Sequence, residues 1–139
     1  MVAVSNVVVG IDGSMTSWRA FAMAVGIARR DQGCVHACFV SHTPAPAELA
    51  VFAVPVPSFV DDDGAADLAL EVSEELGRAG VGGDFALRKG DVARELEAVA
   101  ATHHADLIVV GRSRHPTLHL GGVPRKLLAM GRRPILIVP

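Results

Sequence analysis

The chain has no tyrosine, one tryptophan and five phenylalanines. Its core must therefore be aliphatic and alanine-rich, a composition suited to helices packed on a Val/Ile sheet. Cysteine is nearly absent too, with two in all. Cys34 and Cys38 fall in one expected strand, where residues four apart are about 13 Å from each other and cannot bridge, so they read as core thiols. No strictly apolar run approaches the ~20 residues of a membrane span. The N-terminal Met1-Val-Ala-Val-Ser-Asn6 lacks a basic region, which leads us to expect a cytoplasmic protein. One basic patch runs through Arg112, Arg114, His115 and His119, with Arg125 and Lys126 just beyond. There is no sequence-wide basic field, since 13 Lys and Arg stand against 15 Asp and Glu, a net charge of −2. That balance speaks against nucleic acid or an anionic membrane as partner. No Walker A sequence is present either, since Lys89-Gly90 has the wrong order and Gly10-Ile-Asp-Gly13 is not G-x-G-x-x-G.

What is present is an alternation of apolar runs and amphipathic stretches over 139 residues, one domain's worth, spanning 1–139. Residues 2–11 read as a first strand. Ser14 then caps a helix over 15–30, with Trp18, Phe21, Val25 and Ala28 on its sheet-facing side. Strand two spans 33–41. Residues 43–60 hold four prolines among Leu49, Val51, Phe52, Val54, Val56, Phe59 and Val60, a pattern that blocks a regular helix and leaves apolar surface to be covered. A flap over the sheet edge and a docking surface for a protein partner both fit. Asp61-Asp-Asp63 opens a helix to about 79 with Leu68, Val72, Leu76 and Ala79 buried. Gly77, Gly80, Gly82 and Gly83 mark a turn into a strand over 84–89. Asp91 caps the next helix, whose core face is Val92, Leu96, Val99 and His103, with His103 and His104 in its last turn.

Two metal readings arise from these segments and neither is favoured. Cys34, His36, Cys38 and His42 share one strand face, but ligands strung along one strand do not surround a tetrahedral ion. The three consecutive aspartates 61–63 do not converge on one side of a helix.

The chain is organised around the stretch from Asp106 to Leu128. Asp106-Leu-Ile-Val-Val-Gly111 is an apolar run closed by glycine, the pattern of a parallel strand buried on both faces. Gly121-Gly122 with Pro124 reads as a glycine turn feeding a helix N-terminus. Strand end, polar loop, glycines and helix start together suggest an anion cradle. Gly131 suits the left-handed end of that helix, and Ile135–Val138 forms the last, edge strand.

This arrangement resembles the universal stress protein family, whose nucleotide-binding members carry G-x2-G-x9-G-[ST] after such a strand. Val7-Val-Val-Gly-Ile-Asp-Gly-Ser14 resembles the family's first strand and acidic turn, Gly90-Asp91 through Gly111 its third helix and fourth strand, and Arg133-Pro-Ile-Leu-Ile-Val-Pro139 its last strand. The resemblance implies a doubly wound, Rossmann-like α/β domain of five mainly parallel strands in order 3-2-1-4-5 with four helices. It implies an adenine-nucleotide crevice bounded by Ile11, Asp12, Val40, Gly111, Ser113, Arg114, Gly121, Gly122 and Val123. ATP or another adenine nucleotide would be the cofactor, with Mg²⁺ only alongside it, and a homodimer would form through Ile135–Val138. The glycine motif itself departs from the pattern. Its second glycine is Arg114, six residues rather than nine lead on to Gly121, and Gly122 and Pro124 stand where hydroxyls are expected. Arg114 can hold phosphate bidentately or fill its place. We therefore expect a dimeric regulatory or binding module with weak or lost ATP binding. Its rivals are a genuine ATP or AMP binder using Asp12 and loop 111–124, a nucleotide hydrolase, and a nucleotide-free scaffold.

Overall fold

In the computed structural model, which describes residues 3–41, 62–112 and 122–139, the apolar runs are strands and the amphipathic stretches between them are helices. The order is β1 (Asn6–Gly10), α1 (Met15–Arg30), β2 (Cys34–Ser41), α2 (Asp62–Ala79), β3 (Gly82–Lys89), α3 (Val92–Thr102), β4 (Leu107–Gly111), α4 (Gly122–Met130) and β5 (Ile135–Val138). Every strand pairing is parallel, and the sheet order is β3-β2-β1-β4-β5. This is the expected doubly wound α/β architecture. The central strands are apolar throughout because helices cover both faces: Val7, Val8 and Val9 are each wholly buried.

Successive strand residues alternate between two cores. Val7, Val9, Val35 and Ala37 pack with Ala20, Phe21, Ala24 and Ala28 of α1 and with Val72 and Leu76 of α2. On the other face Val8, Cys38, Ile108 and Val110 meet Leu96, Val99 and Ala100 of α3 and Leu127 of α4. No helix among the described residues is long and apolar enough to cross a membrane. The apolar stretch 43–60, with the docking surface expected there, lies outside the described residues, as do His42, Ser113, Arg114 and Gly121.

Five local expectations need correction. The first strand starts at Asn6, not residue 2, because the amides of Val4 and Ser5 are taken by the carboxylates of Asp31 and Asp106. The buried stripe of α1 is Ser17, Ala20, Phe21, Ala24 and Ala28; Trp18 and Val25 sit at its margin, because the small alanines let the helix lie close on the sheet. Gly82 and Gly83 belong to β3 rather than to the turn. A Cβ on Gly83 would stand 2.0 Å from the Val35 carbonyl oxygen, so glycine there serves close strand approach. Helix α3 ends at Thr102, with His103 as its C-cap and His104 at φ 50°. Helix α4 begins at Gly122, which makes Pro124 its third residue, still within the first turn whose amides have no helical partner.

Candidate functional site

The carboxyl ends of β1, β2 and β4 meet the N-termini of three helices around one crevice of about 570 Å³. The fold dictates this meeting. In a doubly wound sheet every strand-to-helix connection emerges at the same edge, so each helix cap there becomes a wall of a common cleft. Ser14 caps α1, its Oγ accepting the Ser17 N–H at 3.2 Å. Asp91 caps α3, its Oδ2 accepting the Arg94 N–H at 3.1 Å. Gly122 and Val123 open α4. All of these line the crevice, and aligned peptide dipoles make such helix ends favourable for an anion.

Ile11, Asp12, Val40, Gly111, Gly122 and Val123, named from sequence, stand together on its walls. Ile11 is buried, with its N–H donating to the Cys38 carbonyl at 2.9 Å. Asp12 is exposed at the turn, and its Oδ1 accepts the Ser14 N–H at 2.8 Å while its own N–H donates to Ser17 Oγ at 3.2 Å. The carboxylate thus fixes the turn and borders the cleft. Gly111 closes β4 directly against the first turn of α1: a Cβ there would lie 2.6 Å from the Thr16 carbonyl carbon.

Sequence reasoning did not assign the rest of the lining to the site. Thr16 and Ser17 bring hydroxyls, Leu96 and Val110 bring apolar surface, and Lys126 brings a cation. The signal was available, since Ser14 and Asp91 were legible as caps and any cap at this edge faces the cleft. Lys126 is not idle. Its Nζ lies 2.7 Å from Asp91 Oδ1, and this hydrogen bond holds the Asp91 carboxyl below the usual carboxylate range. The Asp91 carboxylate therefore stays ionised at neutral pH, and it tethers the Lys126 side chain on the wall of the cleft. Cys38 contributes neutral apolar floor, because burial pushes its thiol up to about 12. Thiolate chemistry is remote at such a value.

A groove between α1 and α2, about 390 Å³, is lined by Trp18, Phe21, Val25, Glu75 and Arg78. Its charged groups pair with each other, Arg78 with Glu74 and Glu75, and no helix N-terminus is among its described lining residues. The crevice is where polar groups converge.

A model of the universal stress protein family matches residues 4–139. Among solved structures, a protein of that family from Burkholderia pseudomallei is 25% identical with a TM-score of 0.75, the match covering 99% of this chain and 97% of that one. A universal stress protein crystallised in complex with cAMP is also 25% identical, with a TM-score of 0.71 and 99% of each chain covered. The universal stress protein UspA from Lactobacillus plantarum is 20% identical with a TM-score of 0.80 over 100% of both chains. A search of curated proteins gives no match.

Proposed function

The chain belongs to the universal stress protein family, and we propose that it is a regulatory binding module whose crevice takes an adenine mononucleotide weakly and does not turn it over. One observation carries the reading: the N-termini of α1, α3 and α4 converge on a cleft of about 570 Å³ whose inner wall is apolar. A cavity of that size suits a small ligand. Ile11, Val40, Leu96 and the neutral Cys38 offer a surface for a base, and the helix ends offer amides and positive dipoles for a phosphate. The 25%-identical relative bound to cAMP supports an adenine nucleotide as the ligand class. Weak affinity follows from the altered glycine motif and from Lys126, which must leave Asp91 before it can serve a phosphate. Hydrolysis is not part of the reading. Of the two carboxylates among the described residues lining the cleft, Asp12 fixes a turn and Asp91 caps a helix and pairs with Lys126.

Calorimetric titration of AMP, cAMP and Mg²⁺-ATP into nucleotide-stripped protein tests this. The expected dissociation constants lie between about 10 µM and 1 mM, on the order of −7 to −4 kcal/mol, and Asp12→Ala should weaken them at least about tenfold by loosening the turn. A parent that binds nothing, while Arg114→Gly binds, would mean that the arginine plugs the cleft. Silence from both would leave a nucleotide-free scaffold, and phosphate release would make the protein an enzyme.

The same reading includes a homodimer through β5. Among the described residues this strand is the sheet's edge beside β4, and Ile137 on it is 40% exposed; an apolar edge strand calls for cover. Sedimentation velocity should give a dimer that Ile137→Lys converts to monomer. A parent that sediments as a monomer at tens of micromolar ends this part of the proposal.

A further inference from the structure

At the far end of α3 from the crevice, roughly 17 Å along the helix, three side chains from three elements meet. The parallel register sets Asp84 of β3 beside His36 of β2, so both project from the same face of the sheet. His36 is buried, with Nδ1 3.0 Å from Asp84 Oδ1 and Nε2 3.1 Å from Asn6 Oδ1. His103, the C-cap of α3, places Nε2 4.0 Å from Asp84 Oδ2 and stacks its ring on His36 with centroids 3.7 Å apart. One ligand atom from each residue lies within 4.8 Å of the other two.

The hydrogen bonds orient this cluster for a cation. A neutral imidazole has one N–H and one lone pair. In the tautomer whose Nε2–H donates to the Asn6 amide oxygen, the Nδ1 lone pair of His36 faces Asp84 Oδ1. In that tautomer two acceptors stand 3.0 Å apart, a place for a positive centre, and a second imidazole lies 4.0 Å from the other oxygen of the same carboxylate. A ligating histidine that donates its other N–H to a carbonyl is the usual outer-shell arrangement. We propose that His36 Nδ1, Asp84 and His103 Nε2 bind a divalent transition-metal ion of the Zn²⁺ or Co²⁺ type, with water completing its coordination. Imidazole nitrogens favour such ions over Mg²⁺ and Ca²⁺.

The spacing shows what binding must change. Donors sharing one tetrahedral ion stand about 3.3 to 3.5 Å apart, given bonds of about 2.0 to 2.2 Å. His36 Nδ1 and Asp84 Oδ1 are already within that distance, whereas His103 Nε2, 4.0 Å from the other oxygen Oδ2, has to move in. Rings 13° from parallel cannot direct both lone pairs at one point, so the ion turns His103 out of the stack. That side chain is 33% exposed and follows the last helical residue, so its rotation disturbs no core packing.

The test uses tag-free, chelator-treated full-length protein titrated with ZnCl₂ by calorimetry and with CoCl₂ by visible absorption. One ion per chain is expected, with Co²⁺ d–d bands that Zn²⁺ abolishes by displacement. Because His36→Ala can fail to fold, the deciding variants are His103→Ala and Asp84→Asn, each expected to weaken Zn²⁺ at least about tenfold, the lower end of the loss seen when even an outer-shell partner is removed. His104→Asn, exposed next door, should leave binding unchanged. Absence of saturable binding by the parent, binding that survives both deciding variants, or binding lost in His104→Asn would overturn the assignment.

Discussion

Replacing Arg133 with methionine is expected to cost about 3 to 5 kcal/mol, the range for leaving one partner of a buried ion pair uncompensated. The guanidinium is only 16% exposed and Glu97 only 4%. Arg133 Nε donates to both Glu97 oxygens at 3.0 Å and Nη2 donates to Oε1 at 2.6 Å. Its Nη1 donates to the carbonyls of Ala100 at 3.3 Å and Ala105 at 2.7 Å. One side chain therefore neutralises a buried carboxylate and covers carbonyls at the C-terminal end of α3, while standing in the segment between α4 and β5. Such a loss is a large part of the roughly 5 to 15 kcal/mol that hold a typical domain together. Urea unfolding at neutral pH measures it. Replacing both partners, Glu97→Leu with Arg133→Met, should restore most of the stability, since two apolar groups leave no buried charge behind. If the double variant is as unstable as the single one, the carbonyl contacts and not the ion pair carry the energy.

That pair illustrates where sequence reading stops. Glu97 and Arg133 are 36 positions apart, and in the sequence Glu97 is one more polar residue among the amphipathic positions of α3. Only the packing of α4 and of the following connection, with its Arg133, against that helix shows that it faces inward. Features governed by neighbours in the chain were legible: the limits of α1, the caps Ser14 and Asp91, the left-handed Gly131 at φ 60° and the span of β5. Alternation along the central strands likewise gave their two buried faces. Where two local rules competed, packing decided, as at Gly82 and Gly83, whose turn chemistry yields to close strand approach.

The candidate site divides along the same line. Ile11, Asp12, Val40, Gly111, Gly122 and Val123 could be named through the family resemblance, and the structure puts them on one cleft, where strand ends in this fold share an edge. The tether between Asp91 and Lys126 was not legible, since it joins α3 to α4 across 35 positions. Nor was the meeting of His36 with Asp84 and His103. Strand parity grouped His36 with cysteines along its own strand, whereas its partners come from the neighbouring strand and from a helix end. Long-range register, not residue type, made that cluster.

Gly111→Ala is expected to damage both stability and the crevice, and Gly10→Ala neither to a comparable degree, although both glycines end a strand at the same edge. At Gly111 the new methyl would stand 2.6 Å from the Thr16 carbonyl carbon, 2.7 Å from its oxygen and 2.9 Å from the Ser17 nitrogen. Those atoms are the backbone of the first turn of α1, and they cannot rotate away. Either β4 or the helix start must shift by several tenths of an ångström, and overpacking of this kind costs about 1 to 3 kcal/mol or more. The helix start also holds the Ser14 cap and the Asp12 turn, so the shift reaches the groups that would meet a ligand. At Gly10 the nearest atom is Leu96 Cδ1 at 3.1 Å, the far end of a side chain that can give way, and a loss under about 1.5 kcal/mol follows, as for cores that repack. Denaturant unfolding of the two variants, with AMP titration of each, separates the cases. Equal losses at the two positions would show that α1 yields freely, and that Gly111 ends its strand there for reasons other than close approach to the helix.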